Sequence, residues 1–224
     1  MKQDLCTIPL SEVLEPKRGC PFCRMERMLE ERLLEYILGP AMMEPDIRIR
    51  TNQEGFCARH LEKMLARRNK LQTALLLETR LLELEKRLFT PSLEKAGRAG
   101  GEALESCFLC RELAEGVERL LATFFRQYDA SLEFKALFRG QEYLCLPHYA
   151  RLARTAARFL PKKAQKGFHE DLNALAGTRL RLLIKDVRRF TDLFDYQKRE
   201  NKELSDAQDA LERAFSFLAG ESVQ

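Results

Sequence analysis

Apolar residues recur at helical spacing along most of this chain. After the first cysteine pair they follow a three-to-four-residue period on one face of a helix: Met25, Met28, Leu29, Leu33 and Ile37. The same period predicts helices near 24–38, 111–128 and 168–194, and a last one near 205–218. Two short stretches are candidate strands inside otherwise irregular segments, Ile47-Arg48-Ile49 and Glu142-Tyr143-Leu144. The pattern predicts an all-α, mainly helical protein.

The longest apolar pattern follows His60 and predicts one helix over about 58–89, which ends at Thr90-Pro91. Its apolar positions exceed the single stripe that a surface helix needs: Leu61, Met64, Leu65, Leu71, Leu75, Leu76, Leu81, Leu82 and Leu84. The surplus predicts burial in the core or a homodimer contact along this helix. The next segment, 92–106, contains three glycines and is predicted to be a linker.

Composition supports helices and a soluble protein. Leu, Ala, Glu, Lys and Arg dominate, and a hydrophobic content of 45% suffices for a core. The first residues lack the apolar run of a signal peptide, and no stretch approaches the roughly 20 apolar residues of a membrane span. We therefore expect a cytoplasmic protein. In that reducing compartment, cysteines paired with histidines favour a metal over disulfides.

A Cys-x-x-Cys is followed about 34 residues later by a Cys-x-x-His, and the arrangement occurs twice. The first set is Cys20, Cys23, Cys57 and His60, and the second is Cys107, Cys110, Cys145 and His148. Three thiolates and one imidazole form the ligand set of a closed, tetrahedral zinc site. The sequence therefore predicts two structural Zn²⁺ ions, each of which joins two helix starts within its own set. Arg24 and Arg111 follow directly and are expected to offset the negative charge.

Other chemistry for these cysteines stays open. An iron–sulfur centre with one histidine ligand, a dithiol redox site and a catalytic zinc are the alternatives. The run Cys20-Pro21-Phe22-Cys23 is similar to a glutaredoxin-type active site, but no βαβ unit precedes it. A closed site also lacks the open position that catalysis needs, and no catalytic constellation or phosphate-binding loop is present, so the protein is expected not to be an enzyme. Cys6 and His169 stand outside both sets.

The two sets belong to a longer internal repeat. Glu31-Arg32-Leu33-Leu34 matches Glu118-Arg119-Leu120-Leu121 at the same offset of 87 residues as the cysteine pairs. We interpret the match as a tandem duplication. It predicts a first zinc-binding unit over 1–91, a linker over 92–106, a second unit over 107–160 and a C-terminal helical extension over 161–224.

Charge suggests possible partners. Residues 148–190 carry 11 basic and 3 acidic side chains, whereas residues 191–224 carry 4 basic and 8 acidic ones. The basic segment could bind nucleic acid, or it could pair with the acidic one. Without a nucleic-acid-reading motif, a protein partner is the favoured prediction, and no membrane partner is expected.

The duplicated layout resembles an uncharacterised family of bacterial and archaeal proteins, classed as a domain of unknown function. Gly55-Phe56-Cys57-Ala58-Arg59-His60 is similar to that family's signature, as are Phe194-Asp195-Tyr196 and the Leu218-Ala219-Gly220 ending. The resemblance implies a helical, metal-binding protein and brings no known activity. Our leading hypothesis is a non-enzymatic zinc-binding interaction or regulatory module. The alternatives are a nucleic-acid-binding protein, or an enzyme or small-molecule binder with a pocket near Tyr196.

Overall fold

The computed structural model describes residues 10–192, Phe194 and residues 209–221. Throughout these residues the chain forms helices and turns without a strand, which confirms the predicted all-α class. In chain order the α-helices are α1 (Leu10–Leu14), α2 (Pro21–Ile37), α3 (Pro45–Glu54), α4 (Ala58–Ala66), α5 (Lys70–Leu88), α6 (Leu93–Glu105), α7 (Phe108–Ala130), α8 (Leu132–Arg139), α9 (Leu146–Phe159), α10 (Lys162–Asp192) and α11 (Ala210–Ala219). A short 3₁₀ helix spans Pro40–Met43. The start predicted for α11, at Ser205, lies outside the described residues.

Neither candidate strand forms. Ile47 to Ile49 lie within α3, which has Pro45 in its first turn, a position that proline favours in helices. Ile47 and Thr51 are the buried residues of this helix, and their spacing of four is helical rather than extended. The second candidate lies in the turn between α8 and α9.

The long helix predicted after His60 is divided into α4 and α5. Arg67 ends α4 in an extended conformation, with φ −84° and ψ 160°. The Asn69 side chain then donates a hydrogen bond to the Leu38 carbonyl at 3.1 Å and holds the break in place. Apolar periodicity continues across this break, so the sequence pattern alone did not reveal it.

The segment predicted as a linker, 92–106, forms helix α6. Ser92 caps its start, where the hydroxyl accepts a hydrogen bond from the Lys95 N–H at 3.4 Å. Its three glycines lower helix propensity without preventing the helix, because α6 packs against α5.

By packing, the chain divides into two compact units whose boundaries differ from the predicted domain boundaries. Compact unit A comprises residues 28–118. Compact unit B comprises the described residues of 10–27 together with those from 119 onwards. The divisions therefore fall inside α2 and α7 rather than in loops.

Compact unit B has an aromatic core. The rings of Phe22 and Phe124 meet edge to face with centroids 5.1 Å apart, and Tyr128 meets Phe168 in the same way at 4.9 Å. A buried polar contact crosses this core, where the Tyr128 hydroxyl donates to Asp171 Oδ2 at 2.5 Å. Helix α11 packs against α9 and α10, and Arg213 pairs with Asp186 at 2.6 Å.

In compact unit A, α5 packs against α3 and α6. Arg80 of α5 is buried and donates through Nη1 to the carbonyls of Asn52 and Gln53, at 2.5 and 3.0 Å. These bonds satisfy carbonyl groups at the C-terminal end of α3. Gly55 follows with φ +65°, and a Cβ there would clash with the Arg80 guanidinium. Across both units, none of the described helices has the length and apolar character that crossing a membrane requires.

Candidate metal centres

The structure brings the eight predicted ligand residues together in two groups of four. Cluster I contains Cys20, Cys23, Cys145 and His148, all in compact unit B. Cluster II contains Cys57, His60, Cys107 and Cys110, all in compact unit A. In each cluster the four ligand atoms lie within 4.8 Å of one another, so each can hold a metal ion.

This grouping corrects the predicted one. Each Cys-x-x-Cys meets the Cys-x-x-His of the other repeat, so the ligand sets assigned within each repeat were wrong. The loops before the helices show why. The Phe108 N–H donates to the Gly55 carbonyl at 3.0 Å and joins the start of α7 to the loop before α4. The Gly19 N–H donates to Glu142 Oε2 at 2.7 Å and joins the loop before α2 to the loop before α9. Closeness along the chain therefore did not predict which ligand pairs come together.

All four ligand pairs occupy the same two positions of a helix start, as predicted. Each pair begins with a cysteine directly before the first helical residue: Cys20 before α2, Cys57 before α4, Cys107 before α7 and Cys145 before α9. The second ligand is the third helical residue: Cys23, His60, Cys110 and His148. The free N–H groups and positive dipole end of a helix start stabilise thiolates. The Cys110 N–H, for example, points at Cys107 Sγ at 3.5 Å.

The distances within each cluster fit a tetrahedral ion. Metal–ligand bonds of about 2.3 Å to sulfur and 2.0 Å to nitrogen place tetrahedral ligand atoms about 3.5–3.8 Å apart. In cluster I, Cys23 Sγ lies 3.6 Å from Cys145 Sγ and 3.4 Å from His148 Nδ1. In cluster II, Cys57 Sγ lies 3.7 Å from Cys110 Sγ and 3.3 Å from His60 Nδ1.

Each histidine presents Nδ1 to the thiols and is held at Nε2 by a glutamate of α2. His60 Nε2 lies 3.0 Å from Glu30 Oε1, and His148 Nε2 lies 3.3 Å from Glu26 Oε1. A carboxylate behind a ligating histidine fixes the ring and its tautomer and strengthens the metal bond. Lys63 also bonds Glu30, at 2.8 Å. Sequence reasoning missed both glutamates, although their spacing from Cys23 places all three on one face of α2.

Without a metal ion, the ligand side chains of cluster II shift one another's pKa values. Burial opposes ionisation of Cys107, but hydrogen bonds led by that of His60 lower its pKa to about 6. Burial also disfavours the charged form of His60, yet hydrogen bonds with Cys107 and Glu30 raise its pKa to about 9. Burial and the adjacent Cys107 raise the pKa of Cys110 to about 12. Cys107 therefore favours its thiolate form and His60 its imidazolium form, and the charge on Cys107 disfavours ionisation of Cys110.

Cluster I shows the same arrangement. Burial opposes ionisation of Cys20, but hydrogen bonds from Cys145, Cys23 and His148 outweigh it and lower the pKa of Cys20. The pKa of Cys23 is raised, chiefly by its hydrogen bonds to Cys145 and Cys20 and then by burial. A divalent cation would displace the remaining thiol protons and bind all three sulfurs.

The residues after α11 cover cluster I. The Glu221 N–H donates to Cys23 Sγ at 3.3 Å, and the Glu221 carboxylate accepts hydrogen bonds from the Cys20 N–H at 2.6 Å and the Tyr143 hydroxyl at 3.0 Å. Gly220 has φ +86°, and a Cβ built there would lie 3.6 Å from Cys23 Sγ. The Leu218-Ala219-Gly220 ending belongs to the family resemblance, but no role was predicted for Glu221.

The two arginines predicted to offset the negative charge donate their hydrogen bonds elsewhere, although Arg24 interacts electrostatically with Cys20. Arg24 donates to the carbonyls of Val13 and Arg18, at 2.9 and 2.5 Å. Arg111 donates to both carboxylate oxygens of Glu54, at 2.7 and 2.8 Å. The hydrogen bonds described for these two arginines all go to oxygen acceptors and none to a cluster sulfur.

The remaining candidate residues lie apart from the clusters. His169 is exposed and meets Asn173 across one helical turn at 3.2 Å. Phe194 is exposed and touches Phe190, with ring centroids 5.3 Å apart. Cys6, Asp195 and Tyr196 lie outside the described residues.

The comparisons with known proteins give a family but no relative of known role. No curated protein and no solved structure matches the chain. A family model matches it over residues 1–224. The chain therefore belongs to DUF6062, a family of unknown function.

Proposed function

We propose that this protein is a non-enzymatic helical module in which two structural zinc ions hold the helix starts together and the helical surface binds a protein partner. One observation carries the zinc proposal. In both clusters three sulfurs and one imidazole nitrogen surround a single point at tetrahedral spacing, and a carboxylate fixes the imidazole from behind. Such a set fills all four positions of zinc and leaves none for a substrate or a catalytic water.

The same geometry disfavours the alternatives for the cysteines. An iron–sulfur centre binds its ligands around several iron atoms, so its ligand atoms lie farther apart. In cluster II the contacts among the Sγ and Nδ1 atoms are only 3.3–3.7 Å long. A dithiol redox centre needs only two cysteines, which form a disulfide with each other. Here each Cys-x-x-Cys pair has two further ligands, a cysteine and a histidine, at the same point. Three thiols and one imidazole at each point instead suit one ion bound for structure.

Elemental analysis of the full-length protein, purified without added metal, tests the zinc proposal. We expect two zinc ions per chain, and one in the double variant Cys20→Ser/Cys23→Ser. His169→Ala is the matched control, because this histidine is exposed and outside both clusters, so it should keep two. Iron in place of zinc, or an unchanged metal content in the double variant, would refute the proposal.

Exposed apolar side chains of compact unit A support the protein partner. Six large side chains on α5, α6 and the turn between them are at least half exposed: Leu71, Leu81, Leu82, Phe89, Leu93 and Leu104. Grouped apolar exposure of this kind commonly marks protein interfaces. A second copy of the chain is the partner to test first, by light scattering of the purified protein. Leu71→Glu with Leu82→Glu should remove self-association, while Leu180→Glu on α10 should not. A protein that is monomeric at every concentration would rule out the homodimer.

Nucleic-acid binding is the second candidate. Several lysines of α10 are exposed, among them Lys162, Lys163, Lys166 and Lys185. Other basic groups of the predicted segment are already paired, since Arg151 meets Glu26 at 2.9 Å and Arg179 meets Glu142 at 3.4 Å. If the exposed lysines bind phosphates, affinity should fall steeply with added salt. A gel shift without binding at low salt would exclude this candidate.

A further inference from the structure

Helices α4, α5 and α6 of compact unit A border an apolar cleft of about 560 Å³. Leucine side chains from all three helices line it: Leu61, Leu77, Leu81, Leu84, Leu88 and Leu104. The volume lies within the roughly 300–1,000 Å³ of small-molecule sites, which are mainly apolar with a few polar groups. No metal ligand is among its lining residues, although Phe56 and Leu61 directly adjoin the cluster II ligands Cys57 and His60 in sequence.

Arg80 is the charged residue among those described along the cleft. Its side chain is only 6% exposed. Its Nη1 donates to the carbonyls of Asn52 and Gln53, but no carboxylate of the described residues lies within ion-pair distance. The C-terminal dipole of α3 supplies only about half a negative charge. A buried guanidinium is usually paired with an anion, and none of the described carboxylates takes that place beside Arg80.

The wider surroundings of Arg80 also favour an added anion. Burial lowers the pKa of Arg80, repulsion by Arg87 lowers it further, and Glu83 opposes both from a distance. The charged form is thus less stabilised here than in water. An anion that binds at this end of the cleft would restore that stabilisation.

We propose that the cleft binds a monocarboxylate with a single alkyl chain, of the fatty-acid class. The chain lies against the leucines, and the carboxylate pairs with Arg80. An alkyl alcohol leaves the guanidinium without a counter-charge, and an alkyl ammonium repels it. A phosphate ester brings a second negative charge that one arginine leaves uncompensated. The inference goes beyond the proposed function and does not depend on it.

Titration calorimetry of the full-length, delipidated protein with three ten-carbon probes tests the head group. Decanoate should bind with one site per chain. Decanol should bind about tenfold or more weakly, since a hydrogen bond to a charged group is lost. Decylammonium should bind more weakly still. Equal affinity for decanoate and decanol, or no saturable binding of decanoate, would overturn the proposal.

A glycine pair on α6 tests the location. A Cβ at Gly100 would meet Leu88 Cδ2 at 3.8 Å, so the backbone tolerates a side chain there, and a ring at this position would occupy cleft space beside Leu88. Gly100→Phe should abolish decanoate binding. A Cβ at Gly97 meets nothing within 4 Å, so Gly97→Phe is the matched control and should keep it. Binding that survives Gly100→Phe would place the ligand elsewhere and overturn the proposal.

Arg80→Met tests the ion pair directly. It should weaken decanoate binding about tenfold and leave decanol unchanged, which would remove the preference between the two probes. Because Arg80 also caps α3, this variant is compared with the parent by circular dichroism first. If it fails to fold, the head-group series and the glycine pair still decide the proposal.

Discussion

The two clusters use the same ligand set, but a different part of each is exposed to solvent. In cluster I every ligand is buried, and Gly220 and Glu221 cover the sulfurs, whereas the supporting carboxylate of Glu26 is 32% exposed. In cluster II the supporting carboxylate of Glu30 is only 3% exposed, but Cys110 is exposed and Cys57 is half-buried. Identical ligands therefore face solvent through the carboxylate in one cluster and through the sulfurs in the other.

This difference separates two properties of a metal site: the accessibility of its sulfurs and the strength with which its histidine is held. Access to the sulfurs decides how fast a thiol reagent attacks, whereas burial of the histidine–carboxylate pair decides how strongly the imidazole is held. We expect cluster II to bind its metal tightly yet lose it readily to thiol chemistry. Cluster I should show the reverse tendency. Four predictions test this contrast, from the largest expected effect to the smallest.

Removal of a sulfur ligand should have the largest effect. A structural zinc contributes about 10–16 kcal/mol of apparent free energy, as much as the whole stability of a typical domain. Cys145→Ser should therefore unfold much of compact unit B, and Cys110→Ser should unfold much of compact unit A. Hydrogen exchange read by mass spectrometry would map the loss. Protection that falls in the same residues for both variants would contradict the separate clusters.

The cluster I variant should lose slightly more stability. Its sulfurs join residues 122 apart in sequence, against 53 in cluster II. Releasing the longer loop adds about 0.7 kcal/mol of chain entropy.

Replacing a supporting carboxylate should have the next largest effect. Glu30→Gln removes the charge that holds His60, and loss of such a partner costs about 10- to 100-fold in metal affinity. Glu26→Gln should cost less, because Glu26 is partly solvated and lies farther from its histidine, at 3.3 Å against 3.0 Å for Glu30. Competition with a chromophoric chelator measures both. Glu31→Gln, the neighbouring change on α2, is the control, and a greater loss for Glu26→Gln would reverse the ranking.

Thiol reagents should distinguish the clusters by rate. With an alkylating agent in excess, we expect the metal of cluster II to leave first through the exposed Cys110. A chain that ends at Ala219 lacks the cover over Cys23, so its two release rates should approach each other. A chain that ends at Glu221 keeps the cover and should behave like the parent. Equal rates in the parent would show that the cover does not limit access.

The smallest effect concerns the backbone of the cover. Gly220 has φ +86°, so Gly220→Ala should destabilise the protein by about 1–2 kcal/mol. The same change at Gly97, inside α6 and with open space around its Cβ, should stabilise it by about 0.5–1 kcal/mol. Urea denaturation midpoints measure the pair. Shifts of the same sign would mean that helix propensity, not the φ angle, governs position 220.

Sequence patterns predicted the helical class and the placement of ligand pairs at helix starts. They did so because apolar period and Cys-x-x-Cys spacing are local properties of a helix. The partners of each pair could not be predicted, since the Phe108–Gly55 bond that joins α7 to the α4 loop depends on tertiary packing. The break at Arg67 and the helix after Ser92 were missed for a related reason. A side-chain bond from Asn69 and packing against α5 outweighed the local pattern.

The cross-pairing of the repeats also sets an order of assembly. All ligands of cluster II lie between the two halves of cluster I along the chain, at residues 57–110 against 20–23 and 145–148. A chain synthesised from its N-terminus thus completes cluster II first. Cys20 and Cys23 meet the other ligands of cluster I only after residues nearly 125 positions later have been made. During that interval the nearest Cys-x-x-His is the one at Cys57 and His60, which belongs to the other cluster. The synthesis of this protein therefore passes through a stage at which the wrong set of four ligands is the first one available.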